Sequence, residues 1–167
     1  FTPLEGLVMA TRCGDLDAGL VLYLQREAGY SGGELDRLLN QESGLLGLSG
    51  TSADMRELLG TDERTAKLAV ELYCYRARKY VAAYLAVLGG ADAILFGGGV
   101  GEHSALVREK VLADMEWMGI ALASWLNHSA QGAETLISVP GTRAQVWVIP
   151  VDEGIVMAQE AVRAMRG

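Results

Sequence analysis

Between positions 61 and 88 apolar residues recur at helical spacing, Asp62 and Glu63 suit the positive end of a helix, and Gly89-Gly90 terminates it. The longest predicted helix lies here. Upstream, residues 1–16 hold Pro3, Gly6 and Gly14 and read as irregular, ending at Asp15 and Asp17, either of which caps a helix predicted over about 18–28. Ser31-Gly32-Gly33-Glu34 fits a Ser-x-x-Glu capping box, so a short helix runs from there to about Leu39. Gly44, Gly47 and Gly50 then mark a flexible loop, followed by one or two helical turns over 53–59 closed by Gly60.

After the long helix the period changes. A strand predicted at 92–96, whose Ala93-Ile94-Leu95-Phe96 is apolar as a buried strand requires, passes through Gly97-Gly98-Gly99 into a helix predicted from about 104 to 118, stopped by Gly119. Strands are predicted at 134–139 and at Gln145-Val146-Trp147-Val148-Ile149, where Pro150 ends the run, and a final helix starts at Val151 or Asp152 and reaches about Ala164. Strands alternating with helices predict a mixed, partly parallel α/β sheet. Tyr73, Ala77, Tyr80 and Tyr84 share one face of the long helix. Core packing is the expected role of that face, with a subunit contact as the alternative.

Half of the 167 residues are hydrophobic, enough for one domain with a sizeable core. A net charge of −7 opposes a nucleic-acid role, since phosphate backbones demand clustered Lys and Arg, and leaves a small molecule or another protein as the expected partner. Cys13 and Cys74 match no metal spacing and are expected as free thiols in a reducing compartment. No apolar run reaches membrane-spanning length and no basic, then apolar leader opens the chain, so a soluble cytoplasmic protein is expected. Phe1-Thr2-Pro3-Leu4 reads as mid-chain sequence, and few strands are predicted for such a sheet. A fragment or processed product is the expectation.

The glycine turn is the first candidate for chemistry. A bare backbone approaches a ligand closely, and a helix start supplies unpaired N–H groups and the positive end of a dipole, a combination that suits phosphate. A dinucleotide fingerprint fails because Glu102 stands where the third glycine belongs, and a P-loop fails for want of a lysine. Tight packing of a strand-to-helix turn explains the glycines equally well.

Four segments together carry a family resemblance: 1–17, with Thr11-Arg12-Cys13-Gly14-Asp15-Leu16-Asp17; Ser43-Gly44-Leu45-Leu46-Gly47-Leu48-Ser49; the turn at 97–104; and Val148-Ile149-Pro150-Val151-Asp152-Glu153. In this order and spacing they resemble the C-terminal part of the acetate and propionate kinase family, and the resemblance runs through the whole chain. It implies part of an actin-like ATPase (ribonuclease H-like) domain: an α/β fold with a small mixed sheet and several helices, incomplete beside the full family fold. Residues 1–167 would then be a C-terminal nucleotide-binding and dimerisation domain, with the N-terminal domain absent.

The implied activity is reversible phosphoryl transfer from ATP to acetate, giving acetyl phosphate and ADP, with Mg²⁺ as cofactor, in a homodimer. The isolated piece is expected to be inactive, because the acetate pocket and two catalytic histidines belong to the missing part. By matching motifs, Arg12 resembles the arginine that stabilises the phosphoryl group in flight. Gly99-Val100-Gly101-Glu102-His103 corresponds to Gly-Ile-Gly-Glu-Asn around the nucleotide, with His103 in place of Asn, and Asp54-Met55-Arg56 corresponds to an Asp-Phe-Arg segment at the adenosine. Glu153 matches a glutamate that helps hold magnesium, for which a carboxylate is a suitable hard-oxygen ligand. A propionate or butyrate kinase is an alternative within the resemblance. A noncatalytic assembly module built on the long helix is the alternative outside it.

Overall fold

A computed structural model describes residues 2–130 and 132–166, and the chain divides into two compact units, residues 1–89 and 90–167. The first unit is helical. A loop over residues 2–17 leads into α1 (Ala18–Arg26), α2 (Gly32–Gln41), α3 (Gly44–Ser49), α4 (Met55–Leu59) and the 25-residue α5 (Arg64–Leu88). Local chemistry sets most of these ends. Asp17 accepts from the Gly19 N–H to cap α1, Ser31 and Glu34 form the capping box of α2, and Gly89 ends α5 in the left-handed region at φ +73°.

Two readings of the pattern change here. The stretch expected as a loop between Gly44 and Gly50 is the helix α3, which packs on α5 and buries Leu45. Tertiary packing overrides the weak helix propensity of its glycines. The buried stripe of α5 is made of Ala66, Ala69, Val70, Cys74 and Leu85, whereas Tyr73 and Tyr80 are half-buried and Tyr84 is exposed. Small side chains let the short helices α3 and α4 come close to α5, so the tyrosine face is not the core face.

The second unit carries the sheet. Its elements are β1 (Ala93–Phe96), α6 (Gly98–His103), α7 (Ala105–Leu112), a 3₁₀ turn at Glu116–Met118, α8 (Ser124–Ser129), β2 (Thr135–Leu136), β3 (Gln145–Val148) and α9 (Glu153–Arg166). The strand order is β1-β3-β2, with β1 parallel and β2 antiparallel to β3. The sheet is mixed, as the alternation of elements predicts. Val146 and Val148 of the central strand are fully buried with Ile137, and Val107, Val111, Leu112 and Ile120 are buried in the same unit.

β1 is an edge strand and not the buried strand expected from its apolar run, for Leu95 is 61 % exposed. The single helix predicted over 104–118 is instead two helices and a 3₁₀ turn, and helical structure already begins at Gly98. Ser104 makes the break between α6 and α7, ending one and capping the other through its hydroxyl, which accepts from the Val107 N–H. Nothing in the sequence pattern announces α8.

Candidate active site

Arg12 sits on a loop held almost entirely by main-chain hydrogen bonds. Met9 N–H donates to the Arg12 carbonyl at 3.2 Å, Cys13 N–H to Leu39 at 3.0 Å, Ser43 N–H to Thr11 at 3.0 Å, and Leu45 and Leu46 N–H to Met9 and Ala10 at 2.9 and 3.0 Å. The loop and the start of α3 are therefore one piece. Gly44 makes this contact possible: at φ +64° a Cβ there would overlap the Met9 carbonyl oxygen and lie 2.8 Å from that of Arg12. No other residue fits without moving the backbone that carries Arg12.

The far end of the loop is tied by Asp15. Its carboxylate accepts from the Gly6 N–H at 2.7 Å and from the Tyr80 hydroxyl at 2.5 Å, and the Arg76 guanidinium lies 3.1 Å from it. The Tyr80 hydrogen bond, then the Gly6 bond, hold the Asp15 carboxyl below the ordinary aspartate range, while the Tyr80 hydroxyl is raised by the same bond. Arg12 itself is half-buried, and its guanidinium has no hydrogen bond or ion pair among the described residues. A guanidinium left available on a fixed loop can take two oxygens of a phosphoryl group.

A cavity of about 330 Å³ opens beside this loop, lined in part by Val8, Cys13, Glu42, Gly44, Leu48 and Leu72. Burial pushes the Cys13 thiol up, and its Sγ–H donates to the Gly14 carbonyl at 3.1 Å, so the cavity presents a neutral thiol and not a nucleophile. Elsewhere in the unit, Asp54 caps α4 through the Arg56 N–H at 2.8 Å and grips the Arg56 guanidinium in a two-point pair. That pair, Arg56's side-chain hydrogen bond first, lowers the Asp54 carboxyl to about 2. Met55 between them is 5 % exposed and anchors the turn in the core, so its thioether is not presented at the surface.

In the second unit the glycine turn is gripped from within. Gly98 stands at φ +70° and starts α6, and Gly99 is exposed, with open space where a Cβ would stand. Val100 and Gly101 are half-buried and His103 is exposed. Glu102 turns inward: it is 8 % exposed, and its Oε1 accepts from the N–H groups of both Gly98 and Val151 at 2.8 Å. One N–H at the helix start is thus already taken by the chain's own carboxylate, so an anion there meets fewer free donors than the bare turn promised.

Arg108, 1 % exposed, was not legible as a functional residue from its charge alone. Its Nη1 donates to the Gly101 and Glu102 carbonyls at 2.8 and 2.9 Å, its Nε to Asn127 Oδ1 at 2.7 Å and its Nη2 to the Asn127 carbonyl at 2.7 Å. Burial lowers the guanidinium pKa somewhat from its usual very high value. The available signal was position: Arg108 falls within the stripe Ser104, Val107, Val111, Leu112, where a helix of this spacing faces its core.

The side chain of Glu153, the expected magnesium ligand, lies outside the described residues, although the backbone of α9 begins there. Among the described residues no cluster of three His, Cys, Asp or Glu could form a metal cage. No helix among the described residues is long and apolar enough to cross a membrane.

Helices and a small three-stranded sheet make a mixed α/β fold, and its likeness to solved acetate kinases makes it a partial domain of the actin-like class. The solved structures agree: the chain superposes on acetate kinase from Porphyromonas gingivalis with a TM-score of 0.90 at 42 % identity, covering 98 % of this chain and 42 % of that one. A propionate kinase from Francisella tularensis gives 0.85 at 35 % identity, covering 95 % and 41 %. The acetokinase family model matches residues 1–159, and the chain belongs to that family. Acetate kinase from Chloroherpeton thalassium is 49 % identical over 98 % of this chain and 40 % of its own length. The chain spans about two fifths of the relatives it matches.

Proposed function

We propose that this chain supplies part of the nucleotide and phosphoryl-transfer machinery of a kinase that phosphorylates acetate. In that reaction an acetate oxygen attacks the γ-phosphorus of ATP and the bond to the β-bridging oxygen breaks, leaving acetyl phosphate and ADP. The observation that supports the reading is Arg12: its guanidinium, without a partner among the described residues and carried on a loop fixed by Gly44 and Asp15, would neutralise charge on the transferring group with little reorganisation.

Gly99, Val100, Gly101 and His103 would offer backbone and a ring edge to the nucleotide, with Glu102 acting through the backbone it holds. Asp54 and Arg56 would meet the adenosine, with Met55 as the anchor beneath them. Glu153 would supply an oxygen to Mg²⁺ on the phosphates, whose charge the ion offsets when bound. The isolated chain is expected to be inactive, since the larger share of the relatives' length is not in it. Named relatives include both acetate and propionate kinases, and nothing in the described residues selects between acyl chains.

The test is the intact protein supplied with ATP, Mg²⁺ and either acetate or propionate. Acyl phosphate from one or both supports the reading, and none from either overturns it. A second reading, assembly through α5, is favoured by its exposed Leu68, Tyr75, Tyr84, Val87 and Leu88. Light scattering that returns the mass of a single chain would count against assembly, and so against the homodimer.

A further inference from the structure

We propose that Glu102 and Arg108 are positioning residues that fix the glycine turn from its two ends and hold it to the segment entering α9. The inference rests on the nucleotide reading above and assigns those two side chains a role that no contact with the nucleotide requires.

The two N–H groups that Glu102 Oε1 receives lie 49 residues apart from donor to acceptor in one case and four in the other. One oxygen therefore joins the start of α6 to Val151, two positions before Glu153. A second contact reinforces the join: a Cβ on Gly97 would lie 2.7 Å from Val151 Cγ2, so the two backbones touch through a missing side chain. In the last turn of α6, which ends at His103, the Gly101 and Glu102 carbonyls are taken by Arg108 Nη1. Cations are favourable at a helix C-terminus, and here the cation is covalently part of the next helix.

Asn127 completes the brace. It is fully buried, accepts from Arg108 through both its side-chain and main-chain oxygens, and donates from Nδ2 to the Ala105 carbonyl at 3.0 Å. Among the described residues no buried side-chain nitrogen or oxygen lacks a partner. A fully satisfied buried network of this kind is costly to assemble and fixes one geometry of the backbone it holds. The backbone held here is 98–102, with Gly99 left open between the two ends.

Kinetics of the intact protein test this through Glu102→Gln and Glu102→Asp. Glutamine keeps the single oxygen that receives both N–H groups, so its KM for MgATP is expected to stay within about threefold of wild type. Aspartate keeps the charge and withdraws the oxygen by one methylene, so its KM for MgATP is expected to rise about tenfold or more while the KM for the acyl acceptor does not move. Arg108→Lys, which keeps the charge and loses the fork to Asn127, should show the same split.

A role in stability alone would lower Tm in these variants without separating the two KM values. Equal MgATP KM values for the Asp and wild-type proteins, or parallel shifts in both substrates' KM, would overturn the proposal. Failure of the nucleotide reading is separate: wild type that turns over no MgATP at all would sink that reading first.

Discussion

The Arg12 loop and the glycine turn are both irregular backbone fixed in place, and they are fixed by opposite means. The loop is held by main-chain bonds, a glycine contact and an exposed carboxylate, Asp15, with Tyr80 and Arg76 around it. The turn is held by a buried carboxylate and a buried guanidinium, each satisfied by neutral backbone or amide groups. Surface charges are screened by salt, whereas buried ones are screened much less. The first region should therefore be tunable by salt and the second much less so.

The largest expected effect lies at the arginine: Arg12→Ala should lower kcat by about 10³-fold or more, since nothing else on the loop supplies that charge. Steady-state turnover of the intact protein measures it. Gly44→Ala comes next, because its Cβ meets the Met9 carbonyl in a left-handed conformation. A loss of about 3 kcal/mol in urea unfolding is expected, with kcat falling alongside because the Arg12 backbone must shift.

Tyr80→Phe should act more gently and with a pH signature. Asp15's folded pKa is lowered, so its contribution is present above the ordinary aspartate value of about 3.9 and is lost as pH falls through the lowered folded value. Thermal melts should thus separate wild type from Tyr80→Phe at pH 7 and bring them together as the solution is acidified below that range. Equal salt sensitivity in the melts of the Tyr80 and Glu102 variants would erase the contrast between the two regions. Smallest of all, Arg56→Ala should leave Tm within about 2 °C of wild type, for its side chain is 90 % exposed and Asp54 still caps α4.

How far the chain could be read from its pattern follows the same division. Caps and stops carried by local chemistry were legible: Asp17, the Ser31 and Glu34 box, Gly89, and the β-branched run of β3. α3 was not, because three glycines in seven residues look like a loop until Leu45 has α5 to pack on. The apolar run of β1 suggested burial on both faces, but burial depends on neighbours that a four-residue window does not contain.

Arg12 in the first unit and the glycine turn in the second stood out as motifs, while the roles of their supports did not. Glu102 reads as a ligand contact in sequence and as an internal brace in space, since the direction of a side chain is decided by Val151, 49 positions away. Asp15 and Tyr80 are separated by 65 residues, and no local pattern announces the bond between them.

The most direct test of the central claim, that Arg12 neutralises the phosphoryl group as it transfers, is calorimetric binding of MgADP to the intact protein with and without aluminium fluoride and acetate. These additives mimic the group in flight, and an enzyme complementary to that state binds the mimic more tightly than the ground-state nucleotide. Wild type should show that tightening, and Arg12→Ala should lose it while keeping its affinity for MgADP alone. Equal tightening in both proteins would contradict the account.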